Sequence, residues 1–400
     1  MHAPFQLVAR TGHPDFLDLP WELPLERWDH ERLVEPVRGI SRHVVRFVEY
    51  DEGVYALKEL PSRPAHREYG LLRRLNAEGM PAVLAVGVVE RPGDDAVLLT
   101  KHLDFSLPYR ALFARRPVTD LRENLLHALA ELLVRLHLAG FFWGDCSLSN
   151  SLFRRDAGAL SAYLVDAETG ELHARLTGGQ REHDLTIAEE NIVGELLDVE
   201  AELGALPDDV DPVETASGVV ASYRGLWAEL TEEEVFARDE VWRLHERLRR
   251  LNELGFDVEE IELLGAGGEY RLRLNPHVVE PGHHRRRLER LTGLWTEENQ
   301  ARRLLNDLAG FRAQLEQAGG RAVADEVAAR RWREEVFEPT LLHVPRDLRR
   351  KLEPAELFHQ ILEHRWYLSE REGRDVGLPE AARAYVEEVL RGVQTERIVF

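Results

Sequence analysis

The chain has 400 residues, enough for two or three domains that each bury a core of their own. A hydrophobic fraction of 44% and a charged fraction of 31% are those of a globular protein and exclude a disordered one. The net charge of −21 excludes general nucleic-acid or anionic-membrane binding, although a local basic patch could still act.

The only cysteine, Cys146, rules out an internal disulfide and points to a reducing, cytoplasmic setting. The N-terminal residues lack a basic segment followed by an apolar one, which argues against secretion. The longest apolar stretch is broken by Glu131, Arg135 and His137, so no transmembrane segment is expected. Of 51 basic residues only Lys58, Lys101 and Lys351 are lysine, which reads first as a compositional bias of the source. Where lysine persists, a compact ammonium is required that a guanidinium cannot replace.

Residues 1–36, rich in Pro, Trp and acids, form an extension that wraps a neighbouring domain. Segments 43–50 and 53–60 read as a hairpin turning at Asp51-Glu52-Gly53. A helix over 66–79 follows, with Tyr69, Leu72 and Leu75 at helical spacing and a stop at Gly79. Strands over 82–90 and 95–103 complete a lobe spanning 37–103.

Residues 104–225 read as mainly helical: a capped amphipathic helix over 119–140, two short β segments around 151–166, and a helix over 184–206. From 226 to 400 the pattern predicts a separate, mostly helical domain. It comprises a charged helix over 232–255, a hairpin turning at Gly265-Ala266-Gly267-Gly268, and helices over 297–318, 321–337, 355–369 and 379–392. No short-period repeat or low-complexity linker is present.

Chemistry concentrates in one stretch. Asp145 precedes Asn150, and Asp166 closes the apolar run SAYLVD. One carboxylate able to accept a hydroxyl proton, then an amide oxygen and a second carboxylate able to hold Mg²⁺, is the minimal apparatus for phosphoryl transfer from a nucleotide. Upstream, Lys58 lies late in the second strand of the hairpin and Glu68 early in the helix that follows. A strand Lys on the α/β-phosphates, held by a helix Glu, is the other half of such a site. Taken singly, each has a blander reading, as a solvated Lys and an ordinary helix Glu. The joint order of hairpin, Lys, Glu helix, two strands, long helix, Asp, Asn and Asp outweighs it.

These residues, with LKEL, EYGLLRRL, GMPAVLAVG, LH..G..WGD....N and LVDAE, resemble the atypical bacterial protein-kinase-like phosphotransferases. The likeness is to the lipopolysaccharide- and aminoglycoside-kinase branch, over about 37–205. The remainder is similar to a domain of unknown function found fused after such regions. The resemblance implies an α+β, bilobal protein-kinase-like fold, with a small β-rich N-lobe and a helical C-lobe. A mostly helical C-terminal domain with a β-hairpin follows.

It further implies ATP and Mg²⁺ as cofactors and a hydroxyl on a small molecule, sugar or lipid-linked glycan as acceptor. Asp145 would be the base. Asn150 and Asp166, with Glu168 as an auxiliary ligand, would hold the metal. Lys58 and Glu68 would hold the phosphates, Ser41 and Arg42 would cover them, and Thr100, Lys101, His102 and Leu103 would meet the adenine. Asp184 would brace the catalytic loop or cap its own helix.

The sequence departs from the family pattern in places. Only Gly39 stands where a glycine-rich loop belongs, Trp143 replaces the His before Gly-Asp, and Ala167-Glu168 follow the metal-binding Asp166. The incomplete glycine loop and Trp143 keep open a pseudokinase that binds nucleotide without transfer, and a third reading is a nucleotidyl transferase on the same fold. Two further candidates have simpler explanations. Cys146 reads as a packed thiol. The basic run His283, His284, Arg285, Arg286 and Arg287 could form an anion site at a helix start but reads first as a solvated helix end. The acceptor, the oligomeric state and the role of 226–400 are not legible.

Overall fold

The alternating segments of the N-terminal half fold into one six-stranded antiparallel sheet. In the computed structural model the described residues are 5–34, 43–51, 53–92, 95–107, 109–113, 119–204, 206, 210–232, 234–237, 240, 243, 246–247, 249–251, 256–258, 261–266, 269–274 and 279–393. Strands β1 (Gln6–Ala9), β2 (Leu33–Val34), β3 (Val45–Tyr50), β4 (Gly53–Pro61), β5 (Leu84–Glu90) and β6 (Asp95–Lys101) pair in the order β1-β5-β6-β4-β3-β2. Helix α1 (Ser62–Ala77) connects β4 to β5.

Side chains alternate across a strand, so β4 sends Tyr55 and Leu57 to one face and Ala56 and Lys58 to the other. The N-terminal extension covers the first face. Phe16, Leu19, Trp21, Leu25 and Trp28 pack with Tyr55, Leu57, Val86, Val89, Val97 and Leu99. Trp21 is fully buried and its indole N–H donates to the Phe16 carbonyl at 2.7 Å, so the polar end of the ring is satisfied. β1 pairs closely enough with β5 that a Cβ at Gly87 would lie 2.5 Å from the Val8 carbonyl oxygen. α1 packs on β4, β5 and β6, and its Glu68 bonds to Lys58 on the second face.

After β7 (Ser106–Leu107) and α2 (Tyr109–Phe113), helix α3 (Thr119–Leu138) leads to β8 (Phe141–Phe142). Gly140 joins them with φ +77°, and a Cβ there would sit 2.2 Å from the His173 carbonyl oxygen. The hairpin β9 (Ser151–Asp156) and β10 (Ala159–Leu164) follows, then β11 (Glu171–Leu172). Helix α4 (Gly178–Leu203) starts at Thr177 with a capping box to Gln180 and ends at Gly204 in the left-handed conformation. It therefore begins upstream of the expected 184, and Asp184 is not its cap. Helix α5 (Pro212–Thr231) follows. A β-rich lobe and a helical lobe in this order make a bilobal, protein-kinase-like fold.

The described residues divide into two compact units. The first takes those between Met1 and Arg154 and between Ser161 and Trp227; the second takes Arg155–Leu160 and those from Ala228 onward. In the second unit β12 (Glu234–Ala237) replaces the first turns of the helix expected over 232–255. Its Val235 and Phe236 suit a ladder, and it pairs with β15 (Glu269–Leu274), itself paired with β14 (Ile261–Ala266). That hairpin turns later than expected, because Gly265 and Ala266 are already in the ladder. β13 (Phe256–Val258) pairs with β16 (Val279–Pro281).

Helices α6 (His283–Thr292), α7 (Glu298–Gly319), α8 (Asp325–Trp332), α9 (Glu338–Leu342), α10 (Pro354–Glu372) and α11 (Leu378–Tyr385) make up the rest, a mostly helical domain with a β-hairpin. Trp332, Phe337 and Phe358 centre one of its cores. Within this unit Asp156 accepts the backbone N–H of Asn299 at 3.2 Å and of Gln300 at 2.7 Å, satisfying the first turn of α7. No helix among the described residues is long and apolar enough to cross a membrane.

Candidate active site

Lys58 is the hub of the first polar cluster. Its ammonium donates to Glu68 Oε2 at 3.0 Å, Asp166 Oδ2 at 2.6 Å and Glu168 Oε2 at 3.2 Å. Glu68 comes from α1 and is 1% exposed; its other oxygen accepts the Ala167 N–H at 3.3 Å. Asp166 and Glu168 reach the cluster because β10 is tied to the loop before β5. Val83 donates to the Leu164 carbonyl at 2.9 Å, and Leu164 donates to that of Pro81 at 3.0 Å. His43 Nε2 lies 2.9 Å from Glu168 Oε2.

The charges do not balance. Burial pulls Lys58 down, yet the carboxylates of Glu68 and Asp166 outweigh it and hold the ammonium above its ordinary value. Burial, and then the charge of Asp166, push Glu68 up to about 7. Three carboxylates therefore share one ammonium. Among the described residues, Glu68, Asp166 and Glu168 are the one His/Cys/Asp/Glu group placed to hold a metal, with ligand atoms within 4.8 Å of one another. Carboxylates gathered this closely repel one another, and a divalent cation would offset that repulsion.

The second cluster lies on the loop after β8. Asp145 Oδ2 accepts from Asn150 Nδ2 at 3.0 Å, and Oδ1 accepts from Asn191 Nδ2 at 3.1 Å. Asn150 Nδ2 also donates to the Asp145 carbonyl at 3.0 Å. Both of its partners can only accept, so the nitrogen end of the amide is fixed there and the oxygen end is the one left for a metal.

Asp184 is fully buried on α4 and accepts the N–H groups of Trp143 at 2.7 Å and Gly144 at 2.8 Å and His137 Nε2 at 3.0 Å. It braces the loop and leaves the helix cap to Thr177. Burial pulls His137 down, so the ring is neutral, and its Nδ1 meets the Tyr223 hydroxyl at 2.7 Å. Trp143, standing in the usual His position, is fully buried and donates its indole N–H to the Asp166 carbonyl at 3.0 Å. Its aromatic donor links the loop to the segment after β10 that carries Asp166. Cys146 is fully buried and burial pushes its thiol well up, as fits a packed thiol.

Thr100 and Lys101 end β6, paired with Ala56 and Tyr55 of β4. His102 donates its backbone N–H to the Val54 carbonyl at 2.8 Å, so that group is engaged. Its ring stands edge-on to Phe47, and burial pushes it down to about 4. Leu103, next along, is half-buried. Ser41 and Arg42 lie outside the described residues. The candidate anion site at the start of α6 is filled by the chain itself, where Glu298 accepts the N–H groups of His284 at 3.0 Å and Arg285 at 3.2 Å.

Residues 50–193 match the profile of the lipopolysaccharide kinase (Kdo/WaaP) family, and residues 225–390 match that of DUF4032, a domain of unknown function. The chain carries a lipopolysaccharide-kinase-like domain followed by a DUF4032 domain. A solved structure described as WaaP in complex with acyl carrier protein is 20% identical, with a TM-score of 0.38. The match covers 62% of this chain and 99% of that one, a likeness too slight to carry an argument. No curated protein matches.

The sequence reading missed three residues of the kinase-like domain's site: His43, Asn191 and Glu195. Glu195, on α4, accepts the N–H groups of Leu148 at 2.7 Å and Ser149 at 3.0 Å, together with the Ser149 hydroxyl. Burial pushes its carboxyl up. A signal was present for two of them: Asp184, Asn191 and Glu195 share a helix face with the buried Ala188 and Ile192. Polar side chains on a buried face need partners.

Proposed function

We propose that this domain transfers the γ-phosphoryl group of ATP, with Mg²⁺, to a hydroxyl of a small molecule, sugar or lipid-linked glycan. The observation that carries the reading is Lys58 held 3.0 Å from Glu68 and 2.6 Å from Asp166, beside the loop that bears Asp145. The match to a lipopolysaccharide-kinase family supports a sugar or lipid-linked acceptor. Asp166, Glu168 and the Asn150 amide oxygen fit a magnesium ion, which favours hard oxygen ligands. When bound, the metal neutralises phosphate charge.

Lys58, steadied by Glu68, would bind the α/β-phosphates. Ser41 and Arg42 would cover them, and the backbone at Thr100, Lys101 and Leu103 would face the adenine. Asp145 would orient the acceptor hydroxyl in line with the γ-phosphorus. It takes the proton as the new O–P bond forms, and ADP leaves with the electrons of the broken one. Most of the acceleration would come from positioning and electrostatics.

The test is incubation of the full chain with γ-labelled ATP, Mg²⁺ and an acceptor panel of core lipopolysaccharide, free sugars and small alcohols. Label should pass to an acceptor. Asp145→Asn should bind Mg-ATP and lose transfer, and Asp166→Ala should lose metal-dependent binding. Undiminished transfer by both variants would refute the mechanism. Tight nucleotide binding with no transfer supports the pseudokinase instead, and AMP-labelled product supports nucleotidyl transfer.

A further inference from the structure

Helix α4 meets the catalytic loop at three places. Asp184 takes the N–H groups of Trp143 and Gly144, and Glu195 takes those of Leu148 and Ser149. Between them the loop presents acceptors, Asp145 Oδ1 and the Cys146 carbonyl, and the helix answers with a donor. Asn191 Nδ2 lies 3.1 Å from each. At the rise of an α-helix, Asn191 and Glu195 stand roughly 10 and 16 Å along the axis from Asp184, so the three contacts follow the loop's own progress.

Both partners of Asn191 Nδ2 can only accept, so its amide has one admissible orientation. Asn150 Nδ2 holds the other oxygen of Asp145 at 3.0 Å. The carboxylate is thus pinned at both ends and cannot rotate about its last bond without losing a hydrogen bond. Each oxygen keeps a second lone pair for an incoming hydroxyl.

We propose that Asn191 is a positioning residue for the transfer, fixing the plane in which Asp145 presents its carboxylate to the acceptor. The inference rests on the reading of Asp145 as the base. Asn150 alone leaves that plane free to swing, and a misplacement near 1 Å costs on the order of 100-fold in rate.

The experiment uses the full chain carrying Asn191→Leu, which keeps the volume and removes the donor, with Asn191→Ala beside it. Mg-ATP turnover is measured with water as acceptor, and each variant is crystallised. The expected result is a kcat about 10- to 100-fold lower with KM for ATP within about twofold of the wild type. Asp145 should be rotated or split between two conformers, while Trp143, Gly144, Leu148 and Ser149 stay in place. An unmoved Asp145 overturns the proposal, as does an unchanged kcat, or a KM that rises in step with the loss of kcat. If the wild type passes phosphoryl neither to water nor to any acceptor of the panel, the proposed function fails. The crystal comparison still decides whether Asn191 holds Asp145.

Discussion

Replacing Asp184 with asparagine should loosen the loop after β8 without opening a cavity. The carboxylate is fully buried and accepts three hydrogen bonds: from Trp143 N–H at 2.7 Å, Gly144 N–H at 2.8 Å and His137 Nε2 at 3.0 Å. Asparagine has nearly the same shape but offers one oxygen, and its NH₂ group would face donors. A bond to a charged acceptor contributes about 1.5–3 kcal/mol, and a buried donor left unpaired costs about 1–3 kcal/mol. With one bond lost and the others weakened, the local cost is about 3–4 kcal/mol.

Amide hydrogen exchange reads that cost at the two N–H groups concerned. A factor of ten corresponds to about 1.4 kcal/mol, so Trp143 and Gly144 should exchange about 100- to 1,000-fold faster in Asp184→Asn. Amides of the six-stranded sheet should serve as unchanged internal references. Exchange at Trp143 and Gly144 within about threefold of the wild type would show that the loop is held by other contacts and would refute the reasoning.

Four other outcomes can be checked directly. Glu68 is raised to about 7 from 4.5, so between those values the folded state binds more protons than the unfolded one and metal-free stability falls as pH rises. The fall is about 3 kcal/mol at most; Glu68→Gln should flatten it in urea titrations, and an unaltered slope would count against the shared-ammonium account. At saturating Mg²⁺, about 100 times its dissociation constant, the wild type should gain about 2–3 kcal/mol by calorimetry at pH 8, and Asp166→Ala should gain none.

His102 shifts the other way, down to about 4 from 6.5, so its contribution is present above 6.5 and is lost as pH falls through that window. His102→Gln should therefore lose less stability on acidification than the wild type, by up to about 3 kcal/mol; equal losses would mean that the ring is not buried in solution. In the second unit, Asp156→Ala removes the acceptor for the first turn of α7 and should destabilise that unit by about 1–2 kcal/mol. No change in its melting would show that the first turn of α7 does not depend on Asp156.

The sequence placed Lys58 late in a hairpin strand and Glu68 early in the helix that follows, a helix that begins at Ser62 rather than at the expected 66. The structure joins them at 3.0 Å. Only the first turns of the helix expected over 232–255 gave way to β12, because a partner strand, β15, was available in space; residues 243, 246–247 and 249–251 are helical as expected. Charge-rich amphipathic periodicity carries no record of such a partner. The basic run at the start of α6 read first as a solvated helix end and second as an anion site; the Glu298 that accepts its N–H groups from the next helix was not legible.

By itself the sequence determined the order of the hairpin, α1, the two strands after it and α3, because hydrophobic period and turn chemistry are local. It also determined that Trp143 and Ala167-Glu168 depart from the family pattern. Only the tertiary structure decided what those departures do: Trp143 reaches the Asp166 carbonyl, and Glu168 joins Lys58 and His43. Only the structure gave Asp145 its second holder, Asn191. The reason is physical. A hydrogen bond between residues far apart in the chain depends on the direction of one side chain, and that direction is set by packing, which no spacing in the sequence encodes.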